Sequence, residues 1–142
     1  MLKVKIQKID PEIKIPSYAH AGDAGMDLYA AKDTIIKQGE RKVVATGIKM
    51  EIPAGHVGLI WDKSGLASMN GLKIMGGVID STYRGEVGVV IINLGDQEYR
   101  VEKNTKIAQM LVQRIENVEI EEVNNLENSS RGEGGFGSSG IK

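Results

Sequence analysis

Apolar and polar side chains alternate along most of this chain, with a period of two. Leu2, Val4 and Ile6 fall on one face of the first segment, and Lys3, Lys5 and Gln7 on the other. Further short apolar or alternating runs follow at Met26–Ala30, Thr34–Ile36, Lys42–Thr46, Ile48–Ile52, Val57–Trp61, Leu72–Ile79, Glu86–Leu94, Glu98–Val101, Lys106–Ile115 and Val118–Val123. Turn chemistry separates them: Gln38-Gly39, Pro53-Ala54-Gly55, Arg84-Gly85, Leu94-Gly95-Asp96 and Lys103-Asn104. Strands returning at this rate predict an all-β sandwich or barrel. Only Ser64–Asn70 predicts a short helix, with Ser64 as its N-cap and Gly71 ending it. The run up to Asp80, the polar Ser81–Gly85 and the returning run from Glu86 predict a β-hairpin with Asp80 at the mouth of its turn.

The length, 142 residues, suits one domain. Composition changes at Asn124, where NNLENSSRGEGGFGSSGIK begins, so the reading divides the chain into a β domain (1–123) and a C-terminal arm (124–142). The arm reads either as a flexible Gly/Ser linker or as something more specific, because Arg131 and the chain's only phenylalanine, Phe136, sit among its glycines.

Charge and rare residues narrow the chemistry. Eighteen Lys and Arg against 19 Asp and Glu leave a net charge of −1, which gives no global electrostatic case for nucleic acid or an anionic membrane. Cysteine is absent, which removes disulfides, thiolate zinc sites and a cysteine nucleophile. The two histidines, His20 and His56, lack a G-x-S-x-G partner for a triad. No apolar run is long enough to cross a bilayer, and the expectation is a protein of a reducing intracellular compartment. Residues 132–137 match G-x-G-x-x-G, but no room is left for the helix that a dinucleotide fold requires.

Four polar features remain. Asp80 reads either as a turn-capping aspartate or as a rigidly held carboxylate able to activate water. Lys63, Ser64 and Gly65 open the predicted helix and form either a plain capped turn or a phosphate cradle. Asp27 ends a loop rich in Gly and Asp, where a solvated carboxylate is the ordinary reading. Gln109 interrupts an otherwise apolar strand, by default as an outward-facing residue.

Taken in order, the segments that carry these features resemble the trimeric dUTP pyrophosphatase (dUTPase) family. Five motifs match: AGDAGMDLYA (21–30), KSGLAS (63–68), GGVIDSTYRGEVG (76–88), KIAQMLVQRI (106–115) and RGEGGFGSSG (131–140). The resemblance implies a jelly-roll-like β-barrel, a homotrimer with sites at subunit interfaces, and Mg²⁺-dependent hydrolysis of dUTP to dUMP and pyrophosphate. It implies that Asp80 orients the attacking water and that Tyr83 packs under the deoxyribose. The backbone around Gly77, Val78, Ile79 and Gly88 would read the uracil. Lys63, Ser64 and Gly65 would hold phosphates, and Gln109 and Asp27 would meet the metal only through water, with no direct protein ligand. Arg131, Phe136, Gly137 and Ser138 would close over the nucleotide as a lid. The sequence departs from the family pattern in carrying Lys63 where arginine is usual and Asp62 in place of a common proline. Competing readings are a dCTP deaminase, a non-catalytic nucleotide-sensing trimer on the same scaffold, and a plain structural barrel.

Overall fold

The computed structural model describes residues 1–141. Ten strands and one short helix follow in chain order: β1 (Lys5–Lys8), β2 (Met26–Tyr29), β3 (Thr34–Ile36), β4 (Arg41–Glu51), β5 (His56–Trp61), α1 (Ser64–Asn70), β6 (Leu72–Met75), β7 (Val78–Asp80), β8 (Glu86–Asn93), β9 (Tyr99–Val101) and β10 (Lys106–Arg114). They build two four-stranded antiparallel sheets, ordered β1-β4-β8-β6 and β2-β10-β5-β7, with β3-β9 as a small third sheet. This is the expected all-β, jelly-roll-like architecture.

The period of two explains the core. Val87, Val89, Ile91 and Asn93 of β8 are buried while the residues between them are not. Val87, Val89 and Ile91 meet Leu28, Ile60, Ala108 and Met110 of the second sheet in one cluster. Each fully buried aliphatic side chain there contributes about 1.5–3 kcal/mol relative to exposure. Asn93 is tolerated because its amide donates to the Ile36 and Gln97 carbonyls (3.0 and 2.7 Å) and its Oδ1 accepts the Gly95 N–H (2.9 Å).

Five sequence expectations are corrected. The runs 42–46 and 48–52 form the single strand β4, which continues through a register shift between Ala45 and Lys49. The run 72–79 is split, because Gly76 and Gly77 have φ of 64° and 98°. There is also no room for a side chain at Gly77, where a Cβ would sit 2.7 Å from the Ile60 carbonyl oxygen. The chain thus leaves the first sheet after β6 and enters the second as β7, which pairs with β5. Asp80 is therefore not at the mouth of a β-hairpin: β8 pairs with β6 and β4, and β7 lies at the edge of the other sheet. The N-cap of α1 is Lys63 rather than Ser64, with extended backbone and no capping side chain. Gly71, in the left-handed region, ends the helix as expected. Finally, residues 118–123 form no strand, and Val118 and Ile120 stand exposed.

Candidate active site

The second sheet carries two groups of polar residues on its outer face. In the first, β10 brings Gln109 into register with Asp27 of β2 on one side and Trp61 of β5 on the other. Asp27 is 2% exposed. Lys63, from the turn into α1, donates to its Oδ1. Lys106 Nζ lies 2.7 Å from its Oδ2 as an ion pair. Burial works to raise the pKa of Asp27, but the ammonium groups of Lys106 and Lys63 beside it outweigh burial and hold the carboxyl below its usual value. One carboxylate against two ammonium groups leaves this group with a net charge of +1, which favours an anion.

Gln109 is held by its neighbours. Its amide donates to the Asp62 carbonyl at 2.8 Å. Its side chain fills the space above Gly25, where a Cβ would lie 3.0 Å from Gln109 Cδ. Asp62 in turn ties the two sheets: its carboxylate accepts the Ile74 N–H at 2.6 Å and pairs with Lys73 at 2.7 Å. At the start of α1 the first helical bond is Ala67 N–H to the Lys63 carbonyl (2.9 Å). The N–H groups of Ser64 and Gly65 therefore precede the hydrogen-bonded turn.

The second group lines a cleft of about 340 Å³ formed by Val43, Val78, Ile79, Asp80, Tyr83, Glu86 and Gly88. The Asp80 carboxylate is exposed and makes no hydrogen bond or ion pair among the described residues. The Tyr83 hydroxyl donates to the Glu86 carbonyl at 2.9 Å, and the ring lies close over Gly85. The Glu86 carboxylate accepts the Gly47 N–H (2.8 Å), anchoring this loop to the bulge of β4. Because β7 is an edge strand, it pairs with β5 on one side only and leaves backbone groups on the other unpaired. Gly77 lies just outside the cleft, its carbonyl already occupied by the Ile60 N–H (2.8 Å). Val43 lies over Gly88, so Gly88 is partly covered by a side chain as well as being part of the wall.

The two groups do not meet within one chain. Asp80 is in register with Val57, and Gln109 with Trp61, four residues further along β5. That spacing is about 13 Å at roughly 3.3 Å per residue. The third set stands apart from both. Past Ile115 every hydrogen bond of the described residues stays within the arm, including that from Arg131 Nε to the Gly134 carbonyl (2.6 Å), and Phe136 is fully exposed.

A family model described as dUTPase matches residues 11–140. The chain belongs to the dUTPase family. A deoxyuridine 5'-triphosphate nucleotidohydrolase from Clostridium tetani is 48% identical over 141 residues, covering 98% of this chain and 96% of the relative. Among solved structures, a Staphylococcus bacteriophage 80alpha dUTPase described with dUpNHpp superposes with a TM-score of 0.92 at 30% identity, covering 98% of this chain and 99% of that one. A variant of the dUTPase from S. aureus phage phi11, described with a coordinated structural Mg(II) ion, gives 0.81 at 25% identity, covering 89% and 99%.

Within this dUTPase scaffold the structure adds residues to which sequence reading gave no role. Lys106 completes the Asp27 group, Val43 and Glu86 shape the Asp80 cleft, and Asp62 holds Gln109. Lys106 and Glu86 lie inside quoted motifs, yet strict alternation gives no sign that Lys106 turns toward Asp27. Asp62 carried one signal, its departure from the family pattern.

Proposed function

We propose that this protein is a dUTP diphosphatase, which hydrolyses dUTP to dUMP and pyrophosphate. Membership of the dUTPase family supports the reaction, and the contrast between an unpaired Asp80 and a cationic Asp27 group supports the division of labour. Asp80 accepts a proton from a water as that oxygen forms a bond to the α-phosphorus, and the bond to the departing pyrophosphate breaks. Lys63, the Ser64 and Gly65 N–H groups and Gln109 hold the phosphates. Tyr83, fixed by Glu86 and Gly85, forms a floor under the sugar that leaves no space for a 2′-hydroxyl. The open edge of β7 at Val78 and Ile79, with Gly77 and Gly88 beside it, reads the uracil through backbone groups.

The residues present fit a magnesium ion carried by the nucleotide. Among the described residues no three His, Cys, Asp or Glu side chains converge, and Asp27 already carries two ammonium groups. Gln109 supplies a hard oxygen atom suited to reaching the ion through water, and Asp27, with Lys63 on Oδ1 and Lys106 on Oδ2, would reach it only with Lys63 displaced. When bound, Mg²⁺ neutralises phosphate charge.

The distances within one chain favour a homotrimer. The phosphate group, the Asp80 cleft and the arm do not converge in a single copy, whereas a closed ring of three copies lets each site draw on more than one. We read residues 124–142 as an arm that folds over a neighbouring site, with Arg131 on the terminal phosphate, Phe136 on the uracil, and Gly137 and Ser138 donating to phosphate oxygens. A nucleoside triphosphate substrate supports reading the enzyme as intracellular. No helix of the described residues is long and apolar enough to cross a membrane.

The observation that carries this reading is Asp80, unpaired beside Tyr83 at the open edge of β7. Pyrophosphate release from dUTP, dCTP, dTTP and UTP in the presence of Mg²⁺ tests it. Turnover of dUTP should exceed that of dCTP by about 10⁴-fold, because a backbone site built for uracil leaves buried groups unpaired against a 4-amino group. Equal turnover of UTP would remove Tyr83 from sugar selection, and ammonia release from dCTP would mark a deaminase instead.

A further inference from the structure

The Asp27 group holds one more cation than its carboxylate needs. Lys63 and Lys106 approach Asp27 from two elements, Lys63 on Oδ1 and Lys106 at 2.7 Å from Oδ2. Lys106 reaches that position through a local irregularity. The ladder between β10 and β2 shifts register between Lys106 and Ala108, so that Ile107 and Ala108 are both buried and Lys106 falls opposite Tyr29. Regular alternation would have turned Lys106 to the face opposite Gln109. The bulge instead places it on the outer face with Asp27, and such bulges re-aim side chains beside active sites. Among the described residues no other side chain meets Oδ2, an atom shielded from solvent.

We propose that Lys106 is a positioning residue for the phosphate site: it remains on Asp27 as a resident counterion and so releases Lys63 to a phosphate of the substrate. The inference rests on the phosphate-binding role given above to Lys63. A carboxylate that is 2% exposed needs a charged partner at all times. With a single lysine, substrate binding would strip Asp27 of its partner, and that cost would be set against phosphate affinity. With two lysines, one stays and one moves. Lys63 is the one placed to move, since it leads into the α1 turn beside Ser64 and Gly65, whereas Lys106 is anchored in a paired strand. The Asp27–Lys106 pair acts in the direction the exchange requires: the Asp27 carboxylate beside it raises the pKa of Lys106 and keeps it protonated.

The experiment compares Lys106→Met and Lys106→Arg with the unaltered chain, reading kcat and KM for dUTP and, separately, Kd for inorganic triphosphate by calorimetry. In Lys106→Met, Lys63 stays committed to Asp27, so KM and Kd should both rise about tenfold, the loss of one charge-assisted contact. The value of kcat should stay within about twofold, because the chemistry at Asp80 is untouched. Lys106→Arg keeps a cation on Asp27 and should restore both constants. A merely structural Lys106 would lower the melting temperature while leaving KM and Kd unchanged, and that result would overturn the proposal. Should Lys106→Met fail to fold, the lysine side-chain NMR signals of the unaltered protein decide the matter on titration with triphosphate: the Lys63 signal should move and the Lys106 signal should stay. The reverse pattern refutes the assignment. Failure of the proposed function looks different, since triphosphate would bind as described while dUTP went unhydrolysed.

Discussion

Asp27 and Asp80 lie on the outer face of one sheet, on its opposite edge strands β2 and β7 and offset by about 13 Å in the strand direction at roughly 3.3 Å per residue, in opposite surroundings. Asp27 is buried and carries two lysines, while Asp80 is exposed and carries none among the described residues. A carboxylate whose charge is already neutralised can organise cations but is a poor acceptor for a proton. A carboxylate left without a partner contributes little to the fold and is available to a water. On the proposed reading one sheet supplies both an electrostatic anchor and a base, and what differs is whether cationic side chains reach the carboxylate.

Exchanging each aspartate for asparagine should separate these roles. Asp80→Asn should lower kcat by about 10²–10⁴-fold, as expected on losing a general base. Its melting temperature should stay within about 2 °C, since substitutions at exposed unpaired positions change stability little. Turnover near that of the unaltered enzyme would remove Asp80 from the mechanism. Asp27→Asn should show the reverse emphasis, a loss of about 1–3 kcal/mol in stability as charged hydrogen bonds disappear. That loss should depend on pH. The folded-state pKa of Asp27 is depressed, so its contribution is present above the unfolded-state value of about 3.9 and is lost as pH falls through the lower folded value. Denaturant unfolding of the two proteins should therefore differ in full above about pH 5 and converge in acid. A difference that persists unchanged at low pH would show that the Asp27 charge is not what stabilises the fold.

Much of the fold was legible because each strand buries one face, which a period of two records directly. What the pattern missed were places where backbone geometry breaks the period. Gly76 and Gly77 switch the chain between sheets, and that separated Asp80 from the expected hairpin. The bulge at Ile107 and Ala108 re-aims Lys106, so its alliance with Asp27 could not be read from alternation. Val118 and Ile120 alternate with glutamates but pair with no strand, because alternation states which face a segment could bury and not whether a partner exists. Asp80, Lys63, Asp27 and Gln109 were legible as candidates, Tyr83 entered only through the resemblance, and the five ordered motifs gave all of them their expected roles. Their arrangement into two groups depends on strand register, which local sequence does not encode.

The division between those groups and the arm underlies the central claim, that a complete site needs more than one copy of the chain. Mixing two defective proteins tests it most directly. One carries Asp80→Asn, and the other is truncated after Asn128 and so lacks Arg131 and Phe136. Each alone should be nearly inactive, the truncated protein by about 10²-fold through lost positioning. The two are unfolded together at equal concentration, refolded, and assayed for pyrophosphate release from dUTP. If Asp80 and the arm at each site come from different copies, half the chains supply an intact Asp80 and half an intact arm, so random trimers should recover about a quarter of full activity. Activity no higher than the sum of the two separate variants would mean that each chain builds its site alone, and would contradict the account.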